Sequence, residues 1–176
     1  MTEVRTNLQT TTSSLQFKDA TMDDLPTIVA IYNSTIASRL VTADTEPISI
    51  EDRKVWFDEH HEKRPLWMIY DGATCVGWAS FQDFYGRKAY EGTAEISIYL
   101  AENCRGKGYG KHILGYCIQQ APTLQIHTLL GYIFAHNEPS LQLFKKAGFE
   151  QWALLPNIAL MDDQFYSLSI LGKKII

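Results

Sequence analysis

The stretch that decides the fold runs from residue 93 to residue 110 and reads TAEISIYLAENCRGKGYG. Residues 93–100 alternate polar and apolar side chains, which predicts a β-strand with one buried face. Residues 105–110 place a glycine at every second position, and an apolar periodicity predicts a helix from about residue 107 to residue 120, ended by Pro122. A strand, a glycine turn and a helix in this order place the turn at a helix N-terminus.

The glycine turn has the chemistry of an anion site. Glycine lets the backbone turn sharply and brings its N–H groups close to a ligand. The unpaired N–H groups and the positive dipole end of the following helix favour a phosphate or pyrophosphate. Three cations in and beside the turn add positive charge; they are Arg105, Lys107 and Lys111. The alternative is a plain glycine-rich turn without a ligand.

Two nucleotide motifs fail on the same residues. No GxxxxGK[ST] run occurs in the chain, so a Walker loop is excluded. The dinucleotide pattern GxGxxG/A fails from Gly106, where Lys111 takes the last position, and from Gly108, where Ile113 takes it. The turn therefore points to a different phosphate-bearing ligand.

Composition excludes several classes of function. The chain has 176 residues, 45% of them hydrophobic, which is enough for one domain with a sizeable core. We predict that residues 15–176 form this single domain and that the polar residues 1–14 are a disordered leader. A net charge of −4 argues against nucleic acid as a partner. No apolar run reaches the roughly 18 residues of a membrane span, so no membrane partner is expected.

Cysteine and histidine spacing predicts no metal. Cys75, Cys104 and Cys117 form no ligand pair, and His60-His61 has no partner at ligand spacing. An odd number of cysteines without a signal peptide is typical of a reducing cytoplasm, which is the expected location.

The remaining elements give the order β-α-α-β-β-β-α-β-α-β-β. Ser49, followed three residues later by Asp52, is expected to begin the second helix, which runs to about residue 61. The last two strands are predicted at residues 149–154 and 165–171, separated by a loop and an Asp162-Asp163 turn. Because strands and helices mix without strict βαβ alternation, we predict an α+β fold.

Glu95 lies on the strand before the turn and is the candidate catalytic residue. One use for a carboxylate at such a place is to remove a proton from an amine, because an α-amine with a pKa of about 7.7–8.0 is mostly protonated at neutral pH and is a nucleophile only when neutral. A positioned carboxylate can remove that proton. Thr93 and Ser97 share its face and make a polar stripe typical of a site floor. The alternatives are a solvent-facing carboxylate or a salt bridge with Arg87.

The turn resembles the pyrophosphate signature Q/R-x-x-G-x-G/A of the GCN5-related N-acetyltransferase (GNAT) superfamily, met here by Arg105, Gly108 and Gly110. The resemblance extends from about residue 17 to residue 171. It implies a mixed, mostly antiparallel central sheet flanked by helices, with acetyl-CoA as co-substrate and no metal. The cofactor-binding residues that it implies are Ile98, Tyr99, Leu100, Arg105, Gly106, Lys107, Gly108, Tyr109, Gly110, Lys111, Asn137 and Ser140.

Residues 93–99 resemble the T-x-E-x-S-x-Y strand of one GNAT branch, the phosphinothricin and methionine sulfoximine/sulfone N-acetyltransferases. Residues 87–90 are similar to its R-x-x-Y segment, and residues 45–47 to its T-E-P loop. This resemblance implies direct acetylation of the α-amine of a small amino-acid analogue, with Glu95 as base, by a homodimer. The substrate-binding residues that it implies are Tyr85, Arg87, Tyr90, Thr93, Glu95 and Ser97.

The chain departs from the family where many members carry a tyrosine that protonates the leaving thiolate, because Phe144 stands there. The thiolate then leaves unassisted, or Tyr132 or a water substitutes. The branch's Asp in the last strand is also missing, since residues 165–168 read FYSL. Alternative functions are acetylation of a peptide N-terminus or an aminoglycoside, and a non-catalytic CoA-binding module.

Overall fold

The computed structural model describes residues 15–176, and its helices and strands follow the predicted order. The α-helices are α1 (Leu25–Ile36), α2 (Ile50–Asp58), α3 (Tyr109–Gln120) and α4 (Glu138–Lys146). The strands are β1 (Gln16–Asp19), β2 (Leu66–Asp71), β3 (Thr74–Asp83), β4 (Thr93–Leu100), β5 (Thr128–Phe134), β6 (Glu150–Met161) and β7 (Gln164–Lys174). The predicted leader, residues 1–14, lies outside the described residues.

The strands form one sheet in the order β1-β2-β3-β4-β5-β7-β6, and every neighbouring pair is antiparallel except β4 and β5. That parallel pair is short: Thr93, Ala94 and Glu95 pair with Thr128, Leu129 and Leu130. Beyond Glu95, β4 pairs only with β3, and beyond Leu130, β5 pairs only with β7. The two central strands therefore leave a gap towards their carboxyl ends. This sheet confirms the predicted α+β, mostly antiparallel architecture.

Helices cover both faces of the sheet. On one face α3 and α4 pack against a core that includes Ala94 and Ile96. On the other face α1 and the aromatic residues of α2 pack against Trp78. Because side chains alternate along a strand, Glu95, Ser97 and Tyr99 lie on the α1–α2 face.

Several predicted boundaries differ from the structure, and β7 ends at Lys174 rather than at residue 171. Helix α3 begins at Tyr109 rather than at residue 107, because the left-handed Gly108 (φ 86°) is its N-cap. Helix α2 ends at Asp58. The loop predicted after residue 154 is wrong, since β6 continues to Met161 through a register shift between Leu155 and Ala159. An edge strand with such an irregularity accommodates Pro156, which has no N–H to donate.

Candidate active site

A small cavity of about 60 Å³ lies in the gap between β4 and β5. Residues 96–99 of β4 and 131–133 of β5 form its walls. Val41, from the segment between α1 and α2, and Phe144, from α4, also line it. The cavity therefore lies where β4 and β5 are no longer hydrogen-bonded to each other.

Glu95 sits at the vertex of this gap, as the last β4 residue that pairs with β5. Its carboxylate has no hydrogen bond or ion pair within residues 15–176, so the alternative salt bridge with Arg87 does not form. Burial raises the pKa of Glu95 above its usual value. A half-buried, unpaired carboxyl with a raised pKa is a better proton acceptor than an exposed one.

Tyr132 lies on the same face of the sheet, because its neighbour two residues back, Leu130, is paired with Glu95. Burial, followed by the charges of Glu95 and Tyr85, raises the pKa of Tyr132. The phenol therefore lies within electrostatic reach of both groups. Its hydroxyl has no hydrogen-bond partner in the described part of the chain.

The segment between β3 and β4 brings the other predicted substrate residues to this end of the sheet. Tyr85 has a left-handed backbone (φ 63°) and is 73% exposed. Its ring lies 6.1 Å from that of Tyr90, and both rings contact Phe84. Arg87 is exposed and begins a short 3₁₀ turn. The structure thus places Tyr85 and Tyr90 together and leaves the Arg87 side chain facing solvent.

The predicted polar stripe continues across the hairpin. Ser97 pairs with Ser80 and Glu95 with Gln82 on β3. The Ser80 hydroxyl is buried without a hydrogen-bond partner in the described residues. Thr93, two residues before Glu95, extends the same face. Sequence reasoning missed Ser80 and Gln82, although the antiparallel register of β3 and β4 would have supplied them.

An aromatic group supports the floor of the cavity. Tyr99 stacks on Trp78, with ring centroids 4.4 Å apart, and its ring lies 5.1 Å from that of Tyr32. The Tyr32 hydroxyl bonds to Thr42 and to Asp44, which belong to the segment between α1 and α2. Burial and the Asp44 bond raise the pKa of Tyr32 to about 12. These contacts hold that segment against the sheet.

The glycine turn presents an open cradle at the start of α3. Gly106 (φ 72°) and Gly108 (φ 86°) both have left-handed backbones, and a Cβ at either would meet nothing within 4 Å. The space above the turn is therefore free to take an anion. Lys107 and Lys111 are exposed, and neither makes a salt bridge within residues 15–176.

Two predicted cofactor residues turn their side chains away from this cradle. Arg105 donates to Ser34 Oγ at 2.6 Å and to the carbonyl oxygen of Leu100 at 3.2 Å. Tyr109 donates its hydroxyl proton to Asp71 at 2.7 Å. Both side chains tie the turn to neighbouring elements, which leaves their backbones as the parts available to a ligand.

Asn137 joins the other end of the gap to the α1–α2 segment. It is buried and begins α4, where its Oδ1 accepts from the Ser140 N–H at 3.2 Å and its Nδ2 donates to the carbonyl of Leu40 at 3.0 Å. Asn137 and Ser140 both line the cavity. The Phe144 ring packs so tightly on Gly131 that a Cβ there would lie 2.6 Å from it.

Gly110 has a packing role in the same region. A Cβ at this position would lie 3.2 Å from Leu143, so glycine lets α3 approach α4 closely. Within residues 15–176, no cluster of three His, Cys, Asp or Glu side chains could hold a metal ion. None of the helices in this part of the chain is long and apolar enough to span a membrane.

Comparisons with known proteins agree with this architecture. The model of the Acetyltransferase (GNAT) family matches residues 28–149. A Bacillus subtilis protein named "Putative phosphinothricin acetyltransferase YwnH" is 54% identical over 153 residues, 86% of this chain and 94% of its own. The L-methionine sulfoximine/L-methionine sulfone acetyltransferase of Pseudomonas paraeruginosa is 29% identical over 160 residues, 90% and 93% of the two chains.

Solved structures agree as well. A crystal structure of a "putative phosphinothricin N-acetyltransferase" is 52% identical with a TM-score of 0.90, covering 93% of this chain and 99% of the other. The phosphinothricin acetyltransferase of Sinorhizobium meliloti, solved in complex with AcCoA, has the same fold at 23% identity, with a TM-score of 0.83 and coverage of 91% and 88%. The family model and the relatives match most of the sequence, and the structure has a gap between its central strands beside the glycine turn. The chain therefore belongs to the GNAT family of acetyltransferases.

Proposed function

We propose that this enzyme acetylates the α-amine of a small amino-acid analogue of the phosphinothricin or methionine sulfoximine/sulfone type, with acetyl-CoA as donor and by direct transfer. The observation that carries the proposal is the unpaired carboxyl of Glu95, with its raised pKa, at the vertex of the gap between β4 and β5. Family membership supports the acetyl transfer, and the names of the relatives support the class of acceptor.

The residues around the gap fit acetyl-CoA. Gly106, Gly108 and the first turn of α3 form a cradle for the pyrophosphate, and Lys107 and Lys111 supply positive charge beside it. The edge of β4 that faces the gap, over residues 98–100, has no partner strand and is free to pair with the pantetheine amides. Asn137 and Ser140 border the cavity at the thioester end. No metal is part of the proposed chemistry.

Glu95 acts as the base in this proposal. The acceptor arrives largely as an ammonium ion, and its nitrogen becomes a nucleophile only after losing a proton. A carboxyl whose pKa is raised by burial holds that proton more readily than an ordinary glutamate. Unpaired N–H groups along the open edge of β4 supply donors for the oxygen of the tetrahedral intermediate.

The acceptor side of the gap carries the proposed substrate contacts. Thr93 and Ser97 flank Glu95 on the same face, while Tyr85 and Tyr90 form the aromatic wall. Arg87 is the proposed partner of the acceptor's carboxylate, because a guanidinium can donate two parallel hydrogen bonds to a carboxylate. Its exposed position requires the side chain to fold inward when the acceptor binds.

We also propose a homodimer formed through the β6–β7 hairpin. Strand β6 is an edge strand twelve residues long, so one row of its backbone groups has no partner within the described chain. Five large apolar side chains of this hairpin are exposed: Trp152, Leu154, Ile158, Leu160 and Phe165. A second copy can pair with that edge and cover these side chains. Light scattering would test this, since Ile158→Asp and Leu160→Asp should reduce the mass to that of a monomer.

Residues 15–176 are proposed to act as one acetyltransferase domain in the cytoplasm. The single sheet and its two helical layers support one unit. The three cysteines are free thiols, which fits a reducing compartment.

The acceptor class is tested by measuring CoA release with methionine sulfoximine, methionine sulfone and phosphinothricin, beside a panel of peptides and aminoglycosides. We expect turnover of the amino-acid analogues with the highest kcat/KM. Turnover of peptides or aminoglycosides alone would contradict the acceptor assignment. Binding of CoA without turnover of any amine would identify a non-catalytic CoA-binding module.

The role of Glu95 is tested by Glu95→Gln, with Glu150→Gln as the matched control on the exposed start of β6. We expect Glu95→Gln to lower kcat/KM by about 10²–10⁴-fold and to remove the acid limb of its pH profile. The control variant should behave as wild type. An unchanged pH profile in Glu95→Gln would remove Glu95 from the proton transfer.

A further inference from the structure

Transfer of an acetyl group from a thioester releases a thiolate, and a group that protonates the sulfur as the carbon–sulfur bond breaks makes this departure easier. Glu95 is occupied in removing a proton from the amine. A second group in the gap is therefore the candidate donor of the sulfur's proton. The polar residues that line the cavity are Ser97, Tyr99, Tyr132, Asn137 and Ser140.

Most of these groups are unsuitable as proton donors. The amide of Asn137 is engaged with Ser140 and Leu40, and an amide does not ionise in this way. The serine hydroxyls are far weaker acids than a phenol. Tyr99 lies flat on Trp78 with an interplanar angle of 19° and its ring lies 5.1 Å from that of Tyr32, so it is held within the aromatic group below the cavity.

Tyr132 combines a phenol with a place in the cavity wall, and its ring stacks on no other aromatic ring of the described residues. Its position on β5 places it across the gap from the open edge of β4, on the face that carries Glu95. Its hydroxyl makes no hydrogen bond within residues 15–176, so no group in this part of the protein accepts its proton. Phe144 lies on the opposite face of β5, against Gly131, and has no proton to give.

We propose that Tyr132 is the catalytic acid that protonates the leaving thiolate, while Glu95 on the neighbouring strand is the base. The proposal rests on the proposed function in taking a thioester as the acyl donor and Glu95 as the base. It identifies a residue on β5, rather than on α4, as the source of the proton.

The proton of the ammonium ion first passes through Glu95 to solvent, which leaves a neutral amine and an ionised carboxylate. The amine nitrogen then forms a bond to the thioester carbon, the carbon–sulfur bond breaks, and its electron pair goes to sulfur. Glu95 accepts the proton that the nitrogen loses, and Tyr132 gives its phenolic proton to sulfur. The proton held by Glu95 then returns to the Tyr132 phenolate directly or through water, which restores both groups. The raised pKa of Tyr132 keeps the phenol protonated between turnovers.

The experiment compares Tyr132→Phe with wild type on two donors, acetyl-CoA and the selenoester of the same cofactor. A selenol is a much stronger acid than a thiol, so a selenolate leaves without needing a proton. With acetyl-CoA we expect kcat to fall about 10²-fold or more while the KM of acetyl-CoA stays unchanged. With the selenoester the variant should approach wild type. Tyr116→Phe is the control, because the Tyr116 ring packs on Phe17 and does not line the cavity.

Hydrolysis of acetyl-CoA without any amine is measured in parallel, because water as acceptor releases the same thiolate. This arm tests Tyr132 even if the acceptor assignment fails. Equal losses with both donors would overturn the proposal and assign Tyr132 a packing role, and no loss with either donor would also overturn it. A second variant carries a fluorinated, more acidic tyrosine at position 132. It should fold as wild type and lose activity at a lower alkaline pH, and an unmoved alkaline limb would contradict the acid role.

Discussion

The contact between Gly131 and Phe144 provides a sharp test of how the gap is built. A Cβ added at Gly131 would lie 2.6 Å from Cε1 and 3.0 Å from Cδ1 of Phe144. An ordinary carbon–carbon contact is about 3.5–4.0 Å, so the ring must retreat by about 1 Å. Phe144 is only 6% exposed and packs edge-on against Phe149 at 4.8 Å, which leaves it little room to do so.

The cost follows from two opposing effects. Overpacking of a buried site costs roughly 1–3 kcal/mol. Replacing glycine by alanine in a strand returns about 0.5–1 kcal/mol, because the unfolded chain loses freedom. Gly131→Ala should therefore lower the free energy of unfolding by about 1–1.5 kcal/mol. For a protein of this size the Tm falls by about 2–6 °C.

The assay is thermal and urea unfolding of a small set of variants. Gly115→Ala is the matched control, since a Cβ there meets nothing within 4 Å, and it should raise stability by about 0.5–1 kcal/mol. In the double variant Gly131→Ala/Phe144→Leu, the smaller side chain makes room. Its loss should be about 1 kcal/mol less than the sum of the single losses. A Gly131→Ala protein that gains stability as the control does would refute the close packing of Phe144 on β5.

Three further outcomes are expected. Gly108→Ala places a side chain on a left-handed backbone, at a cost of about 1–2 kcal/mol, and puts a methyl group into the cradle. Steady-state kinetics should show that the KM for acetyl-CoA is higher than that of the wild-type protein and that the KM for the acceptor is unchanged. Asn137→Asp keeps an oxygen that accepts from the Ser140 N–H but places a carboxylate oxygen against the carbonyl of Leu40. Urea unfolding should show that the free energy of unfolding falls by about 1–3 kcal/mol, and wild-type stability would contradict the contact with Leu40. Burial raises the pKa of Glu95, so this residue favours the folded protein below its unfolded pKa of about 4.3, and that contribution is lost as pH rises through the folded pKa. Near pH 7 the buried carboxylate is charged and costs stability. Glu95→Gln should therefore raise Tm near pH 7 and leave it unchanged near pH 4.

The sequence predicts the order of the elements because each local signal agrees with the fold. The alternation of residues 93–100 and the Ser49 cap both depend on neighbours within a few positions, and the structure contains the elements that they predict. Strand β6 is where the local signals mislead. Pro156 is a loop signal by itself, but pairing with β7 carries the strand through it, and only the sheet determines that pairing.

The candidate site divides in the same way. Glycine positions and the polar face of β4 can be read locally, so the cradle and Glu95 are predictable. The direction of the Arg105 side chain is not, because its hydrogen-bond partner Ser34 lies 71 residues away. The position of Tyr132 on the same face as Glu95 also depends on the register of β4 and β5, in which Glu95 pairs with Leu130, and the two strand sequences alone do not contain that register.

One topological choice links these features. A parallel pair needs a crossover, and α3 is that crossover, so its N-terminus must begin just beyond the carboxyl end of β4. The antiparallel partners β3 and β7 hold the two strands on their outer edges, which lets the inner edges part without unfolding the sheet. The parting leaves backbone groups of β4 unpaired beside the helix N-terminus, and a ligand with amides and a pyrophosphate can satisfy both. Glu95 is the last paired residue before the strands separate. A shift of one position along β4 would turn its carboxylate into the α3–α4 core, so the register of three residue pairs determines whether the gap has a base.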